Sequence, residues 1–561
     1  MSIRTTTYTD LVSFDRELSR ATSSVTICGT TLTLAEIVAV ARRLNSVVFT
    51  KDKKTLQKIQ TGYLHMMEQV YNGVPIYGCN TGYGARAEVV VNKGTKKERY
   101  AQAQRISESI VHTDVTVGPE LSSDIVRAAM LIRINMLLNG VSAVRVGDLD
   151  IYRRMINARV TPVVNAYGGL GASGDLAHNS RVLSAARQLA GTKVFDKNGK
   201  KFEAKKLLTD LRIPALKLEP KAGLGLVNGD NFSTAAAALV VADVASYTLI
   251  SDVLGAMMVE VLKGSDRSFH PMLARVRPHS GQRELAQLYR ELLRGSKLAH
   301  QEMAGHHVRD SGVKVQDAYS LRCLSQAEGV NRELLSWAIS TIEINANSVS
   351  DNPLWVPPEY ATKGEEPWQW VSGGNFIAQH MGEVLDSMRK IITRLIKRND
   401  RHLHRLVSPH ENNGLPANLS DKAAISSCSF KGMQLQSGMF EVYAMTLAQP
   451  VTTLFGIHEE ANQDITVHSL TSAIMAQTNL ELLRYSLAMN LIAVVQAVDL
   501  RGGPDLLAPR TRPVYEFVRK HVSYVSKERP LHREIEVIAE KIHRGELNTI
   551  LRAKVFAHLP K

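Results

Sequence analysis

Cysteine is scarce in this chain. The 561 residues include four, Cys28, Cys79, Cys323 and Cys428, with no C-x-x-C spacing among them. That argues against a disulfide framework and against a zinc knuckle, so no metal is expected, and it favours a reducing, cytoplasmic setting. Aromatic residues are also few, at 6 %. Long apolar runs are missing as well: the richest, STAAAALVVADVASYTLI, is interrupted by Asp243, which argues against a membrane role. The opening stretch MSIRTTTYTDLVSFDRELSR has no apolar core of the kind a secretory signal needs. What is abundant is positive charge, a net +14. It is dispersed in lysine-rich clusters such as KDKKTLQK, NKGTKKER and DKNGKKFEAKK. These lack interleaved aromatics for base stacking, so they read as solvated surface rather than a nucleic-acid interface.

A chain of this length exceeds one ordinary core, so two or three structural units are expected. A β-like stretch, SVTICGTTLT, leads into an amphipathic helix starting near Thr33. SSDIVRAAMLIRINMLLNG carries helix-start chemistry at one end and Gly140 at the other. Helical patterns recur at 230–263, 281–305, 322–348, 375–407, 421–448, 466–500 and 530–555. Several are apolar on more than one face, as bundle cores and subunit interfaces require. KVFDKNGKKFEA reads as a hairpin with an Asn-Gly turn. The expected architecture is mainly α, with an irregular N-terminal domain over 1–225, a long central helical bundle over 226–510 and a C-terminal helical tail over 511–561.

The stretch NAYGGLGASGDLAHNS, residues 165–180, admits three readings. Gly169, Gly171 and Gly174 spell the G-x-G-x-x-G of a dinucleotide loop. That loop needs a strand before it and βαβ alternation after it; here Pro162 interrupts the strand and helices follow. A plainer reading is a Gly-rich turn, capped by Ser173 or Asp175, before a helix from about Leu176. The third is covalent. If the Gly174 nitrogen attacks the Ala172 carbonyl and Ser173 loses its hydroxyl, a five-membered electrophile forms, and small residues are what so tight a fold of the backbone demands.

The rest of the chain supports the third reading through a resemblance. IYGCNTGYG, GASGDL, GLGLVNGDN, QDAYSLRC, SVSDNPL, SGGNF, NNGLPANLS, FKGMQ and EEANQDI occur in that order. Together they resemble the aromatic amino acid ammonia-lyase and aminomutase family across about residues 30–505. The resemblance implies the histidine/phenylalanine ammonia-lyase fold and a homotetramer whose active sites are shared by three subunits. It also implies a methylidene-imidazolone (MIO) group formed from Ala172, Ser173 and Gly174, with no external cofactor. By the same resemblance Tyr77 takes the β-proton, in surroundings expected to carry positive potential, and Tyr319 is a second phenol able to carry protons. Arg322 clamps the substrate carboxylate with its guanidinium fork. Asn228, Asn352 and Asn375 line the carboxylate or MIO side, and Phe376 packs beside the ring. Gln316 is expected on one helical face or turn with Tyr319. Lys431 and Glu459 anchor or deprotonate the amino group, with Asn462 beside them.

Two positions bear on the substrate. Histidine-specific members of the family place a glutamate where Gln463 stands, so neutral Gln463 speaks against an imidazole. His112 and Thr113 align with the pair that selects the ring, and a histidine at the first place suits a phenol. Tyrosine is therefore the expected substrate, eliminated to p-coumarate. A 2,3-aminomutase making the β-amino acid is the alternative, and a histidine ammonia-lyase is disfavoured. A dead scaffold or nucleic-acid binder conflicts with intact Ala172-Ser173-Gly174, Tyr77 and Arg322. One departure stands out: DLAHNS replaces the Asp-Leu-Ala-Pro-Leu of many members, so His178 either starts the helix differently or alters the electrostatics nearby.

Overall fold

The structure is a computed structural model that describes residues 10–20, 22–301, 316–421, 428–454 and 456–559. Long helices form its frame: Asn231–Val261, Leu324–Ala346, Gln379–Val407, Ser429–Leu447 and Ser469–Leu500. The spans Ala222–Val261 and Ser469–Leu500 are long and apolar enough to cross a membrane, yet both are mostly buried inside the protein. A helix that is apolar all round finds partners on every side. Asn231–Val261 packs on Ser469–Leu500, on Gln379–Val407 and on Ser123–Leu137, and its run Ala235–Ala238 lets neighbours approach closely. Buried charge pairs tie the bundle together: Arg332 meets Asp252 at 2.6 Å and Arg398 meets Glu328 at 2.5 Å. Once desolvated, such pairs tolerate the loss of neither partner. One hydrophobic cluster runs from Leu11 to Phe556 and draws residues from all along the chain.

Strands are short and peripheral. Ser24–Ile27 pairs in parallel with Ser46–Phe49, and Val117–Glu120 pairs antiparallel with Asn165–Tyr167. Thr161–Pro162, Lys193–Phe195 and Lys201–Glu203 form a small antiparallel sheet, and Leu354–Trp355 pairs with Trp370–Val371. No parallel strand flanks the glycine stretch among the described residues, so a dinucleotide loop has no sheet to sit on.

Several sequence expectations meet their elements, and the departures have local causes. Thr33 caps the Leu34–Arg42 helix through a reciprocal bond with Glu36. The 193–204 hairpin forms, but its turn is not a two-residue Asn-Gly loop. Asp196 accepts the backbone N–H groups of Asn198 and Lys200, which widens the loop to 196–200. The helix expected over 281–305 spans Ser280–Leu293 and stops at Arg294, which turns extended; residues 302–305 lie outside the described residues. So do 422–427 of the helix expected from 421, which runs from Ser429. The final pattern breaks into His532–His543, Glu546–Ile550 and a π turn, Leu551–Val555, because left-handed Gly545 interrupts it.

Candidate active site

The stretch 168–175 is an irregular strap between the strand Asn165–Tyr167 and the helix Leu176–Ala186. Its shape depends on glycine at two places. Gly174 has φ +69°, and a Cβ there would lie 2.6 Å from the backbone of Gly229; Gly171 has φ +70° and would meet Ser469 Oγ at 2.7 Å. The strap is tied at several points. The Leu170 carbonyl accepts from the N–H groups of Val467 and His468 at 3.2 and 2.9 Å, and the Gly171 carbonyl accepts from Ala378 N–H at 3.2 Å. Asp175 N–H donates to Gly229 O at 2.9 Å.

Ser173 is half-buried between two amides. Asn228 Nδ2 donates to the Ser173 carbonyl at 3.1 Å, and Gln463 Nε2 donates to Ser173 Oγ at 2.7 Å. Asn228 Oδ1 is buried there without a hydrogen-bond partner. Asn228 is held in turn by Arg133, which is fully buried in the apolar helix Ser123–Leu137 and donates to the carbonyls of Asn228 and Ser350 at 3.1 and 2.5 Å. A guanidinium amid AAMLIRINMLL was the available signal for this support, and the sequence reading passed over it.

The plainer reading of this stretch offers Asp175 or Ser173 as a helix cap. Asp175 stands at the cap position, but its carboxylate turns away and accepts from Ser233 N–H and Oγ–H, both at 2.8 Å. Ser173 does not cap the helix either, because its hydroxyl faces Gln463. Burial, with the charge of Asp230 adding to it against the Ser233 bonds, pushes the Asp175 carboxyl up to about 7.

Tyr77 is brought to the same place. Gly84 N–H donates to Tyr77 Oη at 2.8 Å, and Gly84 lies so close to Glu459 that a Cβ there would fall 1.6 Å from Oε1. Glu459 Oε2 accepts from Asn462 Nδ2 at 2.8 Å and from Gln463 Nε2 at 3.0 Å. These three residues come from a tight loop closed by reciprocal backbone bonds between His458 and Gln463. Glu459, Glu460 and Ala461 all have left-handed φ, +52°, +54° and +64°. Three consecutive non-glycine residues in that region are a strained arrangement of the kind found at functional sites, and nothing in EEANQDI announces it. Among the described residues no cation acts on Tyr77, against the positive potential expected there. Burial raises its phenol, the Gly84 N–H pulls it down, and the Glu459 charge raises it again, for a net upward shift.

The other expected residues stand apart from this cluster. Tyr319 and Arg322 form one helical turn, with the guanidinium 4.5 Å over the phenol ring. Tyr319 is 72 % exposed, and Arg322 Nε has no hydrogen-bond partner. Gln316 does not share that turn: Ala318 is extended at its start, which throws Gln316 out to the surface. Asn352 Oδ1 accepts from Gly373 N–H at 2.9 Å and exposed Asn375 donates to Val349 O at 3.3 Å. Half-buried Phe376 lies two residues before Ala378, the residue bonded to the strap. Lys431 is exposed on Ser429–Leu447 and meets no carboxylate among the described residues. His112 is exposed at the end of the 3-10 helix Ile110–Thr113. Thr113 is not free to face a ring: its hydroxyl bonds to Ile110 O at 2.8 Å and to Ser180 Oγ at 2.6 Å.

Comparison with known proteins fits this arrangement. The sequence profile described as aromatic amino acid lyase matches residues 32–520. The chain is 33 % identical over 508 residues to a phenylalanine ammonia-lyase of Nostoc punctiforme, covering 88 % of this chain and 86 % of that one. It is equally 33 % identical over 534 residues to a histidine ammonia-lyase of Myxococcus xanthus, covering 94 % and 98 %. The crystal structure of a tyrosine aminomutase from Streptomyces globisporus superposes with a TM-score of 0.86 at 29 % identity, over 96 % of this chain and 100 % of that one. The chain therefore belongs to the aromatic amino acid lyases, carbon–nitrogen lyases that act on aromatic amino acids and use a methylidene-imidazolone group.

Proposed function

We propose that this protein is a cytoplasmic ammonia-lyase that eliminates ammonia from L-tyrosine, or a similarly substituted phenylalanine, to give an aryl acrylate such as p-coumarate. The observation that carries the reading is the neutral amide of Gln463 at Ser173 Oγ. A carboxylate there would favour a cationic or hydrogen-bonding imidazole, whereas an amide leaves the ring to be chosen elsewhere. His112 supplies the choice, as a donor or acceptor for a phenol hydroxyl.

The residues around Ala172-Ser173-Gly174 fit the prosthetic group. Gly174 is already folded left-handed with no room for a side chain, and Asn228 Oδ1 is a buried acceptor awaiting a partner. Asn228 and Gln463 would hold the group. The chemistry such a group would supply is an electrophilic carbon that would make the substrate amine a better leaving group. Tyr77 Oη, as the phenolate, accepts the β-proton, and the Gly84 N–H steadies that phenolate beforehand. Glu459, with Asn462 and Gln463 fixing its carboxylate, receives the departing ammonium. Arg322 binds the substrate carboxylate, with Asn352 and Asn375 alongside. Lys431 and Tyr319 complete the polar lining, with Gln316 beside them and Phe376 against the apolar side.

Within one chain these groups do not converge, and a homotetramer with shared sites is part of the proposal. Leu435, Met439 and Val442 follow one stripe of Ser429–Leu447 and are 69 %, 54 % and 63 % exposed. An apolar stripe on the helix that also carries Lys431 suits burial against another copy. Active copies that bring Arg322 and Lys431 to Tyr77 would also supply the positive potential its deprotonation needs.

A tyrosine 2,3-aminomutase is the second reading, favoured by the likeness to the Streptomyces globisporus structure. Incubation with tyrosine, phenylalanine and histidine separately, followed by ultraviolet absorbance and product mass analysis, decides among them. Coumarate from tyrosine supports the proposal, β-tyrosine selects the mutase, and urocanate overturns the use made of Gln463. In that last case Gln463→Glu would raise, not create, histidine turnover.

A further inference from the structure

Closing a ring inside Ala172-Ser173-Gly174 means holding the Gly174 nitrogen against the Ala172 carbonyl carbon, a shape a free peptide leaves at once for entropic reasons. The side chains that hold the flanks therefore matter as much as the tripeptide. We propose that His178 and Asn179, adjacent in the first turn of the Leu176–Ala186 helix, are positioning residues for formation of the prosthetic group, bracing the strand that leads into the strap and the 227–229 loop that the strap is bonded to. This rests on the reading that Ala172-Ser173-Gly174 cyclises.

His178 takes the upstream arm. Its ring is fully buried, with Nε2 3.1 Å from the carbonyl oxygen of Ala166, in the strand that enters the strap. The ring sits 5.4 Å from that of Phe232, and a Cβ at Gly169 would come within 3.1 Å of it. Nδ1 has no hydrogen-bond partner. The one tautomer that satisfies the carbonyl carries its proton on Nε2, which donates to Ala166 O. Burial pushes the imidazole down to about 4, so the ring stays a neutral donor at neutral pH.

Asn179 takes the 227–229 loop, to which the strap is bonded. Its Nδ2 is shared among the carbonyls of Val227 and Gly229, at 3.0 and 3.1 Å, and Asn231 Oδ1 at 2.9 Å. Its own Oδ1 accepts from Asn231 Nδ2 at 2.9 Å. Val227 and Gly229 flank Asn228, which holds the Ser173 carbonyl, and Gly229 O also receives Asp175 N–H. Successive residues on a helix point about 100° apart, which is how two neighbours grip two separate segments. An apolar side chain at 178 would take this donor from the buried Ala166 carbonyl, and one at 179 would strip the Asn231 amide of its reciprocal bonds, while Val227 O and Gly229 O keep the N–H groups of Gly229 and Asp175.

The chemistry they serve is balanced without an oxidant. A bond forms between Gly174 N and Ala172 C, and the Ala172 oxygen leaves as water with the amide hydrogens of Ser173 and Gly174. The Ser173 hydroxyl then leaves with its α-hydrogen as a second water, giving the methylidene. His178 and Asn179 act by restricting conformation and transfer no proton.

The test follows the loss of two waters over time, by peptide mass spectrometry of the freshly translated full chain. Wild type is compared with His178→Phe, His178→Gln and Asn179→Leu. His178→Phe and Asn179→Leu are expected to convert about fivefold more slowly or worse, the rate equivalent of one buried hydrogen bond. His178→Gln keeps an amide donor near the Nε2 position and is expected to convert at close to the wild-type rate. Melting temperatures of the same samples separate the roles, because a merely structural brace would lower the melting temperature and leave the conversion rate unmoved. Wild-type conversion rates in His178→Phe and Asn179→Leu overturn the proposal. So does His178→Gln converting as slowly as Asn179→Leu, a comparison that survives if His178→Phe misfolds. A wild-type protein that never loses the waters brings down the cyclisation reading itself, and the proposal with it.

Discussion

The two halves of the candidate site are built differently. Ser173, Asn228, Gln463, Glu459 and Tyr77 are gathered by one chain into a hydrogen-bonded cluster, with its strap and its turn fixed by glycines and by a strained loop. Arg322, Tyr319, Gln316, Lys431 and His112 make no hydrogen bond to that cluster among the described residues, and most of them are exposed. The group that makes the electrophile must be held rigidly before any substrate arrives, so its supports belong on the same chain. Groups that only meet the substrate can come from elsewhere.

The sharpest way to break that contrast is at Ser173. Ser173→Ala removes the hydroxyl that would leave as water, and activity should fall by about 10³-fold or more. The peptide mass should stay that of the unmodified chain, and an active variant would end the covalent reading. Tyr77→Phe comes next. It should lower kcat by roughly 10²- to 10⁴-fold as a lost general base does, while the loss of two waters proceeds as in wild type.

Arg322→Ala probes the open half. Removing a charge-assisted clamp should raise KM by about 10- to 100-fold and leave cyclisation untouched. If the halves come from different copies, co-assembly of inactive Ser173→Ala with Arg322→Ala chains restores part of the activity at saturating-independent, low substrate. Mixtures no better than the Arg322→Ala chains alone would place both halves in one copy.

The smallest effect concerns pH. His178 ionises at about 4 in the folded protein against 6.5 as a free imidazole. The unfolded chain therefore takes the proton first. Stability from this residue is intact above 6.5 and is lost as pH falls toward 4, by about 3 kcal/mol in all. Thermal melts between pH 7 and 4 should show a shallower decline for His178→Gln than for wild type.

Helix positions were legible because apolar periodicity survives in a single sequence, as Asn231–Val261 and Ser469–Leu500 illustrate. The turn at 196–200 was misread because an aspartate side chain, not the Asn-Gly pair, organised its backbone. Gln316 was misplaced for a similar reason: spacing of three implies one face only when the helix has already begun, and Ala318 is still extended. Arg133 is marked in the sequence by a lone guanidinium amid AAMLIRINMLL, whereas the loop 458–463 is invisible there as a site support, because three left-handed residues are outcomes of packing.

By itself the sequence determined the candidate tripeptide Ala172-Ser173-Gly174, the order of the motifs and the helical character of the chain, since those are properties of residue type and local period. Tertiary structure alone decided which of the motif residues meet. Hydrogen bonds such as Gln463 to Ser173 join positions far apart in the chain, and only the packing of the bundle around a buried strap brings their short-range donors and acceptors within reach.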